Sequence, residues 1–171
     1  MNDFENIFSE LNEAKVKYLV VGGVAVFIHG YQRFTGDLDL LLLLNKENLK
    51  KVSVAMSKLG YRERLPISVT ELDNAEKVRV WLKDRNLKAF SFVPDNSENP
   101  VVIDVIIEES LNFEKIQKKS VVKSFGDVSI SVVSIDDLIK MKKKAGRKKD
   151  EIDVEALLSI KEICKEQRRK K

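Results

Sequence analysis

Cysteine, histidine, proline and glycine are all scarce in this chain. Its 171 residues include one Cys (Cys164), one His (His29), three Pro and seven Gly. A single cysteine excludes a disulfide framework. One Cys with one His also excludes zinc sites built from clustered Cys and His ligands. So little Gly and Pro excludes collagen-like and low-complexity chains. Long apolar runs are missing too. The longest, Leu38 to Leu44, is interrupted by Asp39 and falls far short of the roughly 18 residues of a membrane span. Met1-Asn2-Asp3-Phe4-Glu5 lacks the basic and apolar regions of a signal peptide. The expectation is a cytoplasmic protein without membrane contact.

Hydrophobic residues make up 43% of the chain. A chain of this size buries roughly 70% of its unfolded surface and holds a core without staples. One domain is expected over residues 1–171, with a core over about 1–133 and a helical segment over about 134–171. The net charge of +4 is unevenly spread. Residues 136–171 carry 13 Lys and Arg against 8 Asp and Glu, and the rest of the chain is slightly acidic. Such a basic end suits either a phosphate-facing surface or a solvated helix with a charged tail.

Periodicity gives the order of elements. Phe4, Ile7, Phe8 and Leu11 predict a helix over 3–15, with Asn2 and Glu5 at capping-box spacing. Tyr18 to Val21 reads as a short buried strand, ended by Gly22-Gly23, which opens a helix to about His29. Leu38 to Leu44 reads as a central strand covered on both faces. A helix over 46–59 stops at Gly60. Asp73 and Glu76 suggest the start of another helix bearing Ala75, Val78 and Leu82. Lys88–Val93 and Val101–Ile107 read as strands around the turn-rich segment from Pro94 to Pro100. A hairpin over 121–132 precedes a helix capped by Ser134 and Asp137 and ending at Gly146. In a last helix Asp150 and Asp153 stand as caps, with Val154, Leu157, Leu158 and Ile163 facing the core. The expected fold is α+β, a mixed β-sheet flanked by helices.

Three carboxylates sit where carboxylates are expensive. Asp37 and Asp39 open an apolar strand two residues apart, so both point to one face with Cα atoms roughly 6.6 Å apart. Asp104 lies in the middle of Val101-Val102-Ile103-Asp104-Val105-Ile106-Ile107. A buried, unpaired carboxylate costs several kcal/mol, and three that converge raise one another's pKa. A divalent cation removes that penalty, and hard oxygen ligands suit Mg²⁺. Taken singly, each acid has another explanation: a turn cap for Asp37, an Arg partner for Asp39, a satisfied core acid for Asp104. Val20-Val21-Gly22-Gly23 adds a strand ending in glycines where a helix begins, which suits close approach of a phosphate to backbone N–H groups. Thirteen residues separate Gly23 from Asp37, enough for a helix and a return that brings the acids to the glycine turn.

Val21-Gly22-Gly23, Asp37-Leu38-Asp39-Leu40 and Ile103-Asp104-Val105 together resemble the DNA polymerase beta-like nucleotidyltransferase superfamily. Gly30 to Asp39, Gly60 to Pro66, Ser134 to Lys142 and Ala145 to Asp150 extend the resemblance. They point to a small prokaryotic branch similar to the nucleotidyltransferase-like toxins of abortive-infection toxin–antitoxin systems. The resemblance covers most of the chain. It implies the nucleotidyltransferase fold and transfer of a nucleoside monophosphate from an NTP donor, with Mg (or Mn) as cofactor. In these terms Asp37, Asp39 and Asp104 are both the catalytic residues and the metal ligands, and Gly22 and Gly23 hold the phosphates. Many members have Ser where this chain has Gly23, which offers only its backbone N–H. The acceptor is left open among an RNA end, a partner protein and a small molecule, and a homodimer is compatible with all of them. A non-catalytic nucleotide- or nucleic-acid-binding module on the same fold, one half of a toxin–antitoxin pair, is the competing expectation. The intact acids favour the enzyme.

Further nucleotide-binding candidates are Arg33, Thr35, Lys142 and Arg147. Arg33 suits a triphosphate, or else a pair with Asp39 or a surface acid. Lys142 matches a lysine of the resembled toxins and is expected to be partly exposed, so that its removal spares the fold. Lys140, Lys143 and Lys144 read as a solvated face and Asp150 as a helix cap. His29 reads as helix-terminal packing, Trp81, Phe90 and Phe92 as core, and Cys164 as a buried small hydrophobe.

Overall fold

The structure, a computed structural model, describes residues 3–85, 87–95 and 101–169. Helix α1 (Asp3–Glu13) buries Ile7, Phe8 and Leu11, and Phe8 stacks on Tyr18 of the fully buried strand β1 (Tyr18–Val20). Helix α2 (Gly22–Ile28) starts at the glycine pair. Strand β2 (Asp37–Leu42) follows, then α3 (Lys46–Lys58), whose cap Asn45 accepts the Asn48 N–H. Buried Asn48 accepts the Lys17 N–H at 2.7 Å and donates to the Lys17 and Leu43 carbonyls, tying the start of β1 to the end of β2. Next come β3 (Tyr61–Glu63), a 3-10 helix (Val69–Asp73), α4 (Ala75–Arg85), β4 (Ala89–Pro94), β5 (Val102–Ile106) and α5 (Phe113–Gln117). The chain ends in the hairpin β6 (Val121–Phe125) and β7 (Val128–Val132), then α6 (Ile135–Ala145) and α7 (Lys148–Arg169). Ser134 caps α6, and Gly146 leaves it in the left-handed conformation at φ 62°.

The strands form one mixed seven-stranded sheet in the order β3-β4-β5-β2-β1-β7-β6. β2 runs antiparallel to β1 and parallel to β5. Phe90 and Phe92 of β4, Leu38 and Leu40 of β2, and Ile103 and Val105 of β5 are buried in the core. The alternate residues of β4 and β5, including Ser91 and Asp104, are half-exposed. One face of this part of the sheet is therefore open, and the acids stand on it. Among the described residues no helix is long and apolar enough to cross a membrane.

Several local expectations change. β3, the 3-10 helix and α5 have three, five and five residues, too few for periodicity to register. Asn74, not Asp73, starts α4, accepting the Lys77 N–H at 3.0 Å. Leu158 and Ile163 are exposed on α7 and Cys164 is an exposed thiol; only Val154 and Leu157 of the expected apolar stripe are buried. The Asn2 cap, most of the turn before Pro100, and Lys170 and Lys171 lie outside the described residues.

His29 sits at the end of α2 with Nε2 2.8 Å from the Val133 carbonyl, so the Nε2–H tautomer makes this bond. Desolvation lowers its pKa, with the Val133 bond opposing and Lys123 adding. A lowered base costs stability as pH falls from its unfolded value, about 6.5, toward its folded one. Over that window the unfolded chain binds the proton and the native chain does not. Melting curves between pH 7.5 and 5 are expected to show a loss of stability that is smaller in His29→Gln.

Candidate active site

The register of the central strands assembles the site. Asp39 of β2 lies opposite Asp104 of β5, and Asp104 lies opposite Ser91 of β4. One row thus crosses three strands on the open face, with Asp37 one pleat away at the exposed start of β2. On the other side of Asp39, β1 delivers the glycine turn. The Val21 N–H donates to the Asp39 carbonyl at 3.0 Å, and the Gly23 N–H reaches Asp39 Oδ2 at 3.4 Å.

Gly22 has φ 63°, and a Cβ there would lie 1.7 Å from Asp39 Oδ2. This glycine is required both by its left-handed backbone and by the carboxylate packed on it. Gly22→Ala is expected to cost at least about 1–2 kcal/mol from the backbone alone and to displace Asp39. Urea titration measures the first effect and loss of nucleotide binding the second.

Burial raises the Asp39 pKa; the Gly23 N–H and Lys142 oppose this, while Asp104 and Asp37 add to it. Asp104 Oδ1 is buried with no hydrogen-bond partner. Among the described residues no three His, Cys, Asp or Glu side chains are arranged to hold an ion on their own. The neighbouring Asp39 and Asp104 nevertheless fit a hard cation of the Mg²⁺ kind. Such an ion needs only one or two protein carboxylates and takes its other ligands from phosphate and water.

The basic segment closes the site from a second direction. Lys142 is only 4% exposed, and its Nζ lies 3.0 Å from Asp150 Oδ1 and 2.7 Å from Asp153 Oδ2. It is thus a buried ion-paired lysine rather than a partly exposed one. Asp153 also takes Arg33 Nη1 at 2.5 Å, so Arg33 pairs with α7 and not with Asp39 or a surface acid. A Cβ at Gly23 would meet Thr35 Oγ1 at 2.7 Å and Arg33 Nη2 at 3.4 Å. Both side chains therefore lie against the glycine turn. Arg147 is more exposed and holds Asp150 through Nε at 2.6 Å. Its pKa is raised first by this bond, and Asp39 is among the charges that contribute. Asp150 also accepts the Arg147 N–H, which agrees with a role at the start of α7, while Asp153 lies inside the helix as an ion-pair partner. Asp153, expected only as a helix cap, and Ser91 are site neighbours that the sequence did not assign to the site. The i, i+3 spacing of Asp150 and Asp153, on one helix face, was the available sign for the first.

This constellation can be set beside known proteins. A family model described as nucleotidyl transferase AbiEii toxin, type IV TA system, matches residues 9–170. The chain belongs to this AbiEii family. No curated protein sequence matches it. Solved structures share the chain's fold. The lincosamide antibiotic adenylyltransferase LnuA, with lincomycin bound, aligns at TM-score 0.61 and 15% identity, over 92% of this chain and 96% of its own. The antibiotic-resistance factor ANT(2'')-Ia aligns at TM-score 0.62 and 11% identity, over 92% and 81%. A Thermotoga maritima protein assigned to the nucleotidyltransferases aligns at 0.56 and 15%, over 91% and 90%. The chain thus belongs to a nucleotidyltransferase family and has the fold of these structures.

Proposed function

We propose that this chain moves a nucleoside monophosphate from an NTP to an acceptor hydroxyl with a divalent cation, Mg²⁺ or Mn²⁺, held by Asp39 and Asp104 and assisted by Asp37. The observation that carries this reading is the in-register pair Asp39–Asp104 beside the glycine turn, with one Asp104 oxygen buried and unpartnered. The cation supplies charge neutralisation for the triphosphate and for the attacking and leaving oxygens.

The chain's own groups do the rest. Gly22 and Gly23 let the phosphates approach the backbone, and Arg33 and Thr35, packed on Gly23, contact them from the side. Lys142 and Arg147 set a positive potential toward Asp39. The acceptor oxygen attacks the α-phosphorus, the bond to the β-phosphate oxygen breaks, and pyrophosphate leaves. Asp104, between Asp39 and Ser91 in the row, receives the acceptor's proton.

The open sheet face leaves room for an RNA end, a protein or a small molecule as acceptor. Incubation with each labelled NTP, Mg²⁺ or Mn²⁺, and total RNA or cell lysate is expected to label one acceptor class. Labelling that persists in an Asp104→Asn variant would refute the role of this acid.

A further inference from the structure

A cavity of about 300 Å³ lies between the segment that follows β5 and helix α6, with Leu111, Ile116 and Met141 as its apolar lining. That volume is at the lower end of the range of small-molecule sites, about 300–1,000 Å³. Four lysines, Lys115, Lys119, Lys140 and Lys144, line it as well. Helical spacing explains the α6 wall. Asp137, Lys140, Met141 and Lys144 follow i, i+3, i+4, i+7 and share one face of the helix. Lys142 stands about 100° around the helix from Met141 and is buried against Asp150 and Asp153 of α7. The cavity is therefore separate from the network beside the acids.

Two of its lysines are already paired. Lys140 Nζ lies 3.0 Å from Asp137 Oδ1, and Lys144 pairs with Glu108 and donates to Ser110 Oγ at 2.7 Å. Lys115 and Lys119, on the opposite wall, make no ion pair among the described residues. The Lys119 charge acts on Asp137, so this lysine stands close to the α6 wall. We propose that this cavity binds a small phosphate monoester, its phosphate held by Lys115 and Lys119 and its apolar or aromatic body resting on Leu111, Ile116 and Met141. A bare anion would leave the apolar lining uncovered, and a neutral apolar ligand would leave two ammonium groups without a counter-charge. Lysine binds phosphate as a point charge. Cations on two walls suit a group with three terminal oxygens better than a carboxylate with two. Glu108 and Asp137 hold Lys144 and Lys140 in place before the ligand arrives, which lowers the cost of ordering them.

Phenyl phosphate is the probe, titrated in EDTA into the full chain with isotope-labelled methionine methyl groups. Of the three methionines, Met141 lines the cavity and Met56 is sealed in the core at 1% exposure. The Met141 signal is expected to shift saturably while the Met56 signal stays. Inorganic phosphate, which has no ring, and benzyl alcohol, which has no phosphate, are each expected to bind at least about tenfold more weakly. Lys115→Gln combined with Lys119→Gln is expected to weaken phenyl phosphate about tenfold, the loss of a charge-assisted hydrogen bond, and to leave ATP binding in Mg²⁺ unchanged. Both lysines are exposed, so the variant folds like the parent, which circular dichroism verifies. A Met141 signal that stays, or moves without saturating, overturns the site. Equal affinity in the double variant overturns it too, as does inorganic phosphate that binds as tightly as phenyl phosphate. An equal loss of phenyl phosphate and of ATP overturns it by making the lysines part of the donor site. A parent protein that binds phenyl phosphate and no ATP supports this cavity and counts against nucleotidyl transfer.

Discussion

Asp39→Asn is expected to lower nucleotidyl transfer on the order of a thousandfold, a loss of about 4 kcal/mol of transition-state stabilisation, and to raise the melting temperature of the metal-free protein. The two effects have one cause. Asp39 is held beside Asp104 and Asp37, and burial is the largest contribution to its raised pKa. A carboxylate whose folded pKa lies above its unfolded value lowers stability at every pH above the folded value. That penalty is relieved only as pH falls through it. Asparagine keeps the shape and an oxygen for the Gly23 N–H, but carries no charge to repel its neighbours. The substitution removes the anion that a cation and triphosphate require. Thermal denaturation at pH 7 with a chelator measures the stability gain, and a labelled-NTP assay measures the loss of transfer. A variant that loses stability would show that Asp39 is a structural acid.

Lys142→Ala is expected to destabilise the fold by about 3–5 kcal/mol, the usual cost of stranding the partners of a buried ion pair. That is a large share of the stability of a domain this size, and a fall in Tm on the order of 10 °C. Asp150 and Asp153 are 1% and 2% exposed. Without Lys142 they keep only Arg147 and Arg33 as cationic partners. Because the Lys142 charge also acts on Asp39, nucleotide binding weakens in the same variant. Lys142→Ala combined with Asp150→Asn is expected to recover part of the lost stability by neutralising one stranded acid. Urea unfolding of the two variants measures this. An unchanged midpoint in Lys142→Ala would mean that the network contributes little to the fold.

Much of the fold was legible because its signals are local and repeated. Gly22-Gly23 after an apolar strand, and acids at alternate positions of Asp37-Leu38-Asp39, placed two neighbouring strands and the turn between them. The third acid stood out as a charge inside an apolar run. Its pairing opposite Asp39 is a matter of register between strands more than sixty residues apart, which no local pattern fixes. The environment of Lys142 was hidden for the same kind of reason. In sequence it stands among Lys140, Lys143 and Lys144 and looks like a solvated face. Its burial follows from α7 packing back on α6 and bringing Asp150 and Asp153 over it. Cys164, Leu158 and Ile163 erred in the opposite direction. Helical spacing puts them near one stripe, but the buried part of that stripe is confined to Val154 and Leu157 at the start of α7. Short elements such as β3 depend on pairing with a neighbour, here Tyr61 to Glu63 against β4, and carry no periodic signal of their own.

The most direct test of the nucleotidyl-transfer site is calorimetric titration of ATP into the parent protein, once with Mg²⁺ and once with EDTA. With Asp37, Asp39 and Asp104 bare, the triphosphate meets a cluster of like charge. Binding is therefore expected to be weak in EDTA and at least tenfold tighter with Mg²⁺, and the gain should vanish in Asp39→Asn. Equal ATP affinity with Mg²⁺ and with EDTA would contradict a metal-bridged triphosphate at these acids.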